Sequence, residues 1–250
     1  MMNTWGYTLL LAPPAPLPDA TIRELLQRAA ASGYVAVNPG TGLVSGFDAQ
    51  DEWAYPSLEL AVPLLRDGGS SIRLWKYLSP QVLSHLLVFF DSRGVGEAAD
   101  IQAHFPLDSP SFGALSIGVF DVELQERTRV SPQPWDVDAD VKQIFGEFCG
   151  CLGAPYGYSS DDIVEEAFMD QWVIHRPVHD RQPPALLFWL QYLAADYAAA
   201  AGLAQMAALG GQVEELPGGV LVSFFPHPWE VRVDRIEALN AAWRKIQAAR

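Results

Sequence analysis

The sequence predicts an α+β fold, with antiparallel or mixed sheet elements and packed helices in one compact unit of two lobes. Three observations carry that expectation. Half of the 250 residues are apolar and only 18% are charged, which supplies a large core and gives no compositional sign of disorder. The first half alternates helical periodicity with short strand-like runs, separated by Pro and Gly turns. The last third is helix-rich around a single hairpin signature.

Trp5 to Leu11 reads as a first strand. No Lys or Arg precedes Arg23, so the basic region of a secretory signal is missing. A loop with Pro13, Pro14, Pro16 and Pro18 leads to Asp19, expected as an N-cap. Behind it Ile22, Leu25, Leu26 and Ala29 share one helical face, and Gly33 closes the helix. Tyr34 to Val37 reads as a second strand, followed by turn chemistry in Asn38-Pro-Gly-Thr-Gly. Ser57 to Arg66 is expected as a short helix despite Pro63. Ile72 to Tyr77 and Leu86 to Phe90 read as strands. Leu115, Ile117 and Val119 alternate before the apolar phase slips to Phe120, Val122 and Leu124, which predicts a bulge or bend near Gly118.

Arg129 to Trp135, with Pro132 and Pro134, is the expected linker between an N-terminal α+β lobe (1–130) and a C-terminal helix-rich lobe (131–250). The second lobe opens with a helix from about Val137 to Cys151 and an acidic loop-plus-helix region. Leu186, Leu190, Leu193, Tyr197, Ala201 and Ala204 recur at helical spacing, so Ala185 to Leu209 is expected as one long core helix. Gln191, Asp196 and Gln205 argue against its spanning a membrane. Val213 to Leu216 and Val220 to Phe225 read as a hairpin around Pro217-Gly218-Gly219. The final helix has Asp234 at its expected cap, Glu237 three residues on, and an apolar stripe of Ile236, Leu239, Trp243 and Ile246. Arg244, Lys245 and Arg250 sit near the negative end of its dipole.

Thirty acids against sixteen Lys and Arg give a net charge of −14 and a pI near 4.6. Phosphate binding generally needs clustered Lys and Arg, so direct nucleic-acid binding is disfavoured and basic partners are favoured. Cys149 and Cys151 are too close in sequence for an unstrained mutual disulfide, which points to the reducing cytoplasm.

No catalytic signature emerges. His175, His179 and Asp180 gather two imidazoles and a carboxylate, but Pro177 spoils the helix on which i and i+4 imidazoles would share a metal. They are still the residues around which a small-molecule hydrolase or transferase site would be built. Asp136, Asp138, Asp140 and Glu147 fit positions 1, 3, 5 and 12 of a calcium loop, yet the position that requires Gly holds Val141. Acids dressing a helix N-terminus explain them better. The glycines of Asn38 to Gly46 are followed by no Lys, and His85, His104 and His227 each stand alone. Neither a metal nor a cofactor is expected, and the chain is expected to be a monomer or weak homodimer.

The charge is unevenly placed. From Asp136 to Asp170 nine acids face one base, Lys142, so 35 residues carry −8 of the −14. Aromatic residues punctuate the same stretch. Acids that steer and aromatics that anchor suit a protein-binding face, so Asp161, Asp162, Glu165, Glu166, Tyr156, Tyr158 and Trp172 are the expected partner contacts; the alternative is that the aromatics are core and the acids a solvated surface.

Phe188-Trp189-Leu-Gln-Tyr192, then Tyr197 and Gly202, precede Val213-Glu-Glu-Leu216-Pro-Gly218-Gly219-Val220-Leu221-Val222 and the pair Pro226 and Pro228. With Tyr156-Gly157-Tyr158 upstream, this C-terminal third resembles the immunity proteins of bacterial polymorphic-toxin and type VI secretion systems. The resemblance implies a small α+β protein, without catalysis of its own, that occludes a cognate toxin, and it transfers no contact residues. The acidic charge then points to a basic surface on that toxin, and the missing export signal to a toxin acting in the cytosol, where nucleases are a common class.

Overall fold

A computed structural model describes residues 8–11, 17–48, 51–67, 70–79, 82–91, 114–118, 136–160, 182–226 and 232–249. Ten strands form one sheet in the order β3-β2-β4-β5-β6-β1-β7-β8-β10-β9, and every pairing is antiparallel. Helices pack on it, so the α+β class holds. The strands of the first half are β2 (Val44–Phe47), β3 (Glu52–Tyr55), β4 (Ser70–Ser79), β5 (Val82–Asp91) and β6 (Ala114–Gly118). Those of the second are β7 (Tyr156–Ser160), β8 (Leu190–Ala194), β9 (Gln212–Leu216) and β10 (Gly219–Ser223). The first strand, β1 (Thr8–Leu11), sits between them: it pairs with β6 on one side and β7 on the other. One sheet thus joins described strands from both halves of the sequence. The expected linker at Arg129 to Trp135 and the phase slip after Gly118 lie outside the described residues.

Helix α1 (Asp19–Ala31) buries the predicted stripe of Ile22, Leu25, Leu26 and Ala29. Its cap is Pro18 rather than Asp19, which opens the first turn and pairs its carboxylate with Arg66 at 3.3 Å. Gly33 and Tyr34 donate back to the Ala30 and Ala29 carbonyls, the hydrogen-bond pattern of a Schellman closure. The expected strand at Tyr34 to Val37 is reduced to two isolated bridges, Val35 to Trp75 and Val37 to Val44. Asn38 Oδ1 accepts from the Gly40 and Thr41 amides, so the side chain itself shapes the predicted turn. Helix α2 (Leu58–Asp67) tolerates Pro63 on its exposed side while Ala61, Val62 and Leu65 are buried.

Helix α3 (Asp136–Leu152) buries Ile144, Phe145, Phe148 and Cys149. Helices α2, α1 and α3 form one layer: α1 packs on both the others, α2 on β3 and β4, and α3 on β1. The expected long helix from Ala185 to Leu209 is instead three elements: strand β8, helix α4 (Ala195–Ala201) and helix α5 (Leu203–Ala208). Leu186 to Leu193 are all nearly solvent-free. A strand covered on both faces shows a continuous apolar run, which leaves no period of two to read. Gly202, at φ 89°, then divides α4 from α5 in the left-handed region.

Helix α6 (Val233–Ala248) is capped by Arg232, not Asp234, whose carboxylate accepts from the Arg232 side chain at 3.1 Å. Its buried line is Ile236, Asn240 and Trp243. Asn240 accepts from the Leu187 amide at 2.7 Å and donates to the Leu187 carbonyl at 2.9 Å, completing a strand-like exchange with a side chain. The Trp243 indole donates to the Pro184 carbonyl at 2.6 Å. The last helix thus clamps the segment that delivers β8 to the sheet.

Candidate functional site

The acidic run from Asp136 is organised by an α3–turn–β7 unit. Helix α3 ends at Leu152, and after Gly153, Ala154 and Pro155 the chain returns as β7. The direction of α3 is fixed by three contacts. On one side, Gly150 lies against the Pro217 carbonyl and Gly146 against Leu216: an added Cβ would meet them at 3.3 and 2.6 Å. One turn earlier, Lys142 Nζ sits 5.7 Å from the centroid of the Trp189 ring. The helix therefore climbs from the start of β8 to the hairpin tip, and its first turn stands at the opposite end from that tip. In the register Ser159↔Leu190, Leu190↔Ser223 and Ser223↔Gln212, that opposite end is also where β7 finishes. Seventeen helical residues span roughly 25 Å against roughly 17 Å for five strand residues. Helix α3 accordingly begins beyond the strand ends.

The consequence is electrostatic. Asp136, Asp138 and Asp140 begin α3 at one end of the sheet. The chain leaves β7 at Ser160 at that same end, and the next two residues in sequence are Asp161 and Asp162. The antiparallel return of the chain thus sets Asp136 and Ser160 at the same end of the sheet. The helical course of 136–140 also removes the calcium-loop reading, since those positions must be loop to converge on one ion.

Several expected contacts lie elsewhere. Tyr156 and Tyr158, expected as partner anchors, are 2% and 0% exposed within β7. Tyr158 stacks on Phe188 at 4.6 Å, and Tyr156 donates to Gln191 Oε1 at 2.6 Å and meets the Tyr197 ring edge-on. Helices α3 and α4 cover the two sides of this part of the sheet, so these rings are core, and burial pushes the Tyr156 hydroxyl well above its ordinary value. Glu147, counted among the nine acids, pairs with Arg28 at 2.9 Å and links α3 to α1. Asp161, Asp162, Glu165, Glu166 and Trp172 lie outside the described residues, as do His175, His179, Asp180, His104 and His227.

Burial raises both thiols, Cys149 fully enclosed and Cys151 partly so beside Glu24, which disfavours thiolate chemistry. Among the described residues no His, Cys, Asp and Glu group is arranged to hold a metal, and no helix is long and apolar enough to cross a membrane.

One feature lay beyond sequence reasoning. Val213 to Leu216 was legible as a hairpin strand, but among the described residues β9 is also the last strand of the sheet. Gln212, Val213, Glu214 and Glu215 are all exposed. Position within a sheet depends on long-range pairing, which leaves no local signal.

No family model matches the chain, and no curated protein matches it. Among solved structures it is similar to the Pseudomonas aeruginosa T6SS protein PA0821, at 15% identity and a TM-score of 0.48, over 95% of this chain and 71% of that one.

Proposed function

We propose that this chain is an immunity-type protein that binds and neutralises a cognate bacterial toxin in the cytoplasm, with the acidic end of the sheet facing a basic surface on that toxin. The observation that carries this reading is that α3, which opens with Asp136, Asp138 and Asp140, begins at the sheet end where β7 finishes, within a stretch whose nine acids face one base. Repelling carboxylates held together cost stability, and a basic partner offsets that cost. The partner contacts are Asp161, Asp162, Glu165 and Glu166, with Trp172 as the aromatic anchor now that Tyr156 and Tyr158 are core. The toxin acts in the cytosol, as a nuclease would, and the chain meets it as a monomer or weak homodimer. The sequence resemblance of the C-terminal third to immunity proteins supports the same reading.

The test uses the product of the neighbouring gene. Its association rate with the purified chain should fall steeply between 0.05 and 0.5 M salt, because screening shortens the reach of exposed charge from roughly 10 Å at 0.1 M toward roughly 3 Å at 1 M. Absence of binding, or turnover of a small substrate that is lost in His175→Ala or His179→Ala, would replace this reading with a hydrolase or transferase.

A further inference from the structure

We propose that the outer edge of β9 is a second part of this interface, accepting an extended basic segment of the partner as an added strand. The inference rests on the binding reading above and names a surface that reading lacks.

The two edges of the sheet differ. At β3, Trp53 is buried, Glu52 is tied to Arg73, and α2 packs against the strand. At β9 four consecutive residues are exposed, including Val213 at 44%. The hydrogen-bond phase shows what this edge offers. The Gly218 carbonyl accepts from Ala195, and the Phe224 amide donates to the Trp189 carbonyl. Even-numbered residues of β10 therefore point at β8, and odd-numbered ones, Gly219, Leu221 and Ser223, point at β9. Their partners are Leu216, Glu214 and Gln212. Among the described residues no strand pairs with β9 on that side, so the backbone groups of Val213 and Glu215 face outward, a template for a further strand.

Charge selects the occupant. Glu214 and Glu215 are consecutive, so their carboxylates project to opposite faces of the sheet and both flank an incoming strand. A second copy paired antiparallel about Glu214 or Glu215 would set carboxylate against carboxylate, which is destabilising. A strand with adjacent Lys or Arg and an apolar residue beside Val213 satisfies both. The edge also continues the acidic end: Gln212 lies at that end, three interstrand spacings from β7, or roughly 14 Å.

The experiment uses the full chain, a soluble peptide of pattern Thr-Val-Lys-Lys-Val-Thr, its Glu-for-Lys counterpart, and the neighbouring gene product. Glu215→Pro removes an outward donor and leaves the β10 ladder intact. Glu214→Lys with Glu215→Lys serves as the variant that retains every backbone donor. The basic peptide, and not the acidic one, should slow amide exchange at Val213 and Glu215, and both variants should weaken the neighbouring gene product at least tenfold. Unchanged exchange, or unchanged affinity in both folded variants, overturns the edge proposal. A concentration-dependent dimer abolished by Glu215→Pro also overturns it, assigning the edge to a second copy. The two readings fail separately. Binding lost on reversing Asp161 to Glu166 but kept in Glu215→Pro sinks only the edge, whereas peptide protection without any binding of the gene product sinks only the immunity reading.

Discussion

The closed middle of the second half and the open rim around it contrast sharply in chemistry. Strands β7 and β8 are covered on both sides, and Tyr156, Tyr158, Ser159, Leu190, Gln191, Tyr192 and Leu193 have almost no solvent contact. The rim, at the start of α3, the exit from β7 and the edge of β9, carries Asp and Glu in exposed or terminal positions. The difference separates two roles that the sequence interleaves within a few residues. Tyr158 holds the core, and Asp161, three residues later, belongs to the acidic run. Aromatics near acids do not make an anchor unless the fold leaves them outside.

If the middle is as closed as this contrast requires, breaking its clamp should produce the largest effect. Trp243→Ala empties a fully buried indole site and removes its bond to Pro184, and should cost about 3–5 kcal/mol by urea unfolding. A variant as stable as wild type would mean that α6 does not close the molecule. Asn240→Ala strands the Leu187 amide and carbonyl, and should cost about 1–3 kcal/mol for each group left unsatisfied.

Tyr192 sharpens the comparison through pH. Burial, with Cys149 and Asp196 nearby, pushes its hydroxyl up to about 12. The unfolded chain loses that proton near pH 10 while the folded chain keeps it, so stability is fully present below 10 and falls as pH rises towards 12. Tyr192→Phe should flatten part of this alkaline decline, read as melting temperature against pH. An unchanged slope would show that the ring is not enclosed. The smallest effect belongs to the surface: Arg28→Ala breaks two exposed ion pairs, to Glu24 and Glu147, and should change stability by about 1 kcal/mol or less.

Where burial was one-sided, periodicity in the sequence was enough. The stripe of α1, the course of α3, the helix around Pro63 and the buried Trp243 are all stripes against solvent, which leave a period of 3.6. The hairpin was legible because Pro217 and Gly218, at φ 90°, are the residues a type II turn demands. Strand β8 was lost because both its sides are covered. Leu186, Leu190, Leu193 and Tyr197 then mimic a helical stripe without being one. The candidate site was half legible. Its charge is a property of composition, but the placing of the start of α3 and the finish of β7 at one sheet end, and the edge position of β9 among the described strands, depend on pairings between distant segments.

The central claim is that the acidic end of the sheet is the partner-facing surface. Reversing Asp161, Asp162, Glu165 and Glu166 to Lys and following association with the neighbouring gene product tests it most directly. The variant should melt near wild type, associate at least tenfold more slowly at low salt, and lose most of its salt dependence. An unchanged association rate and salt slope in a folded variant would contradict it.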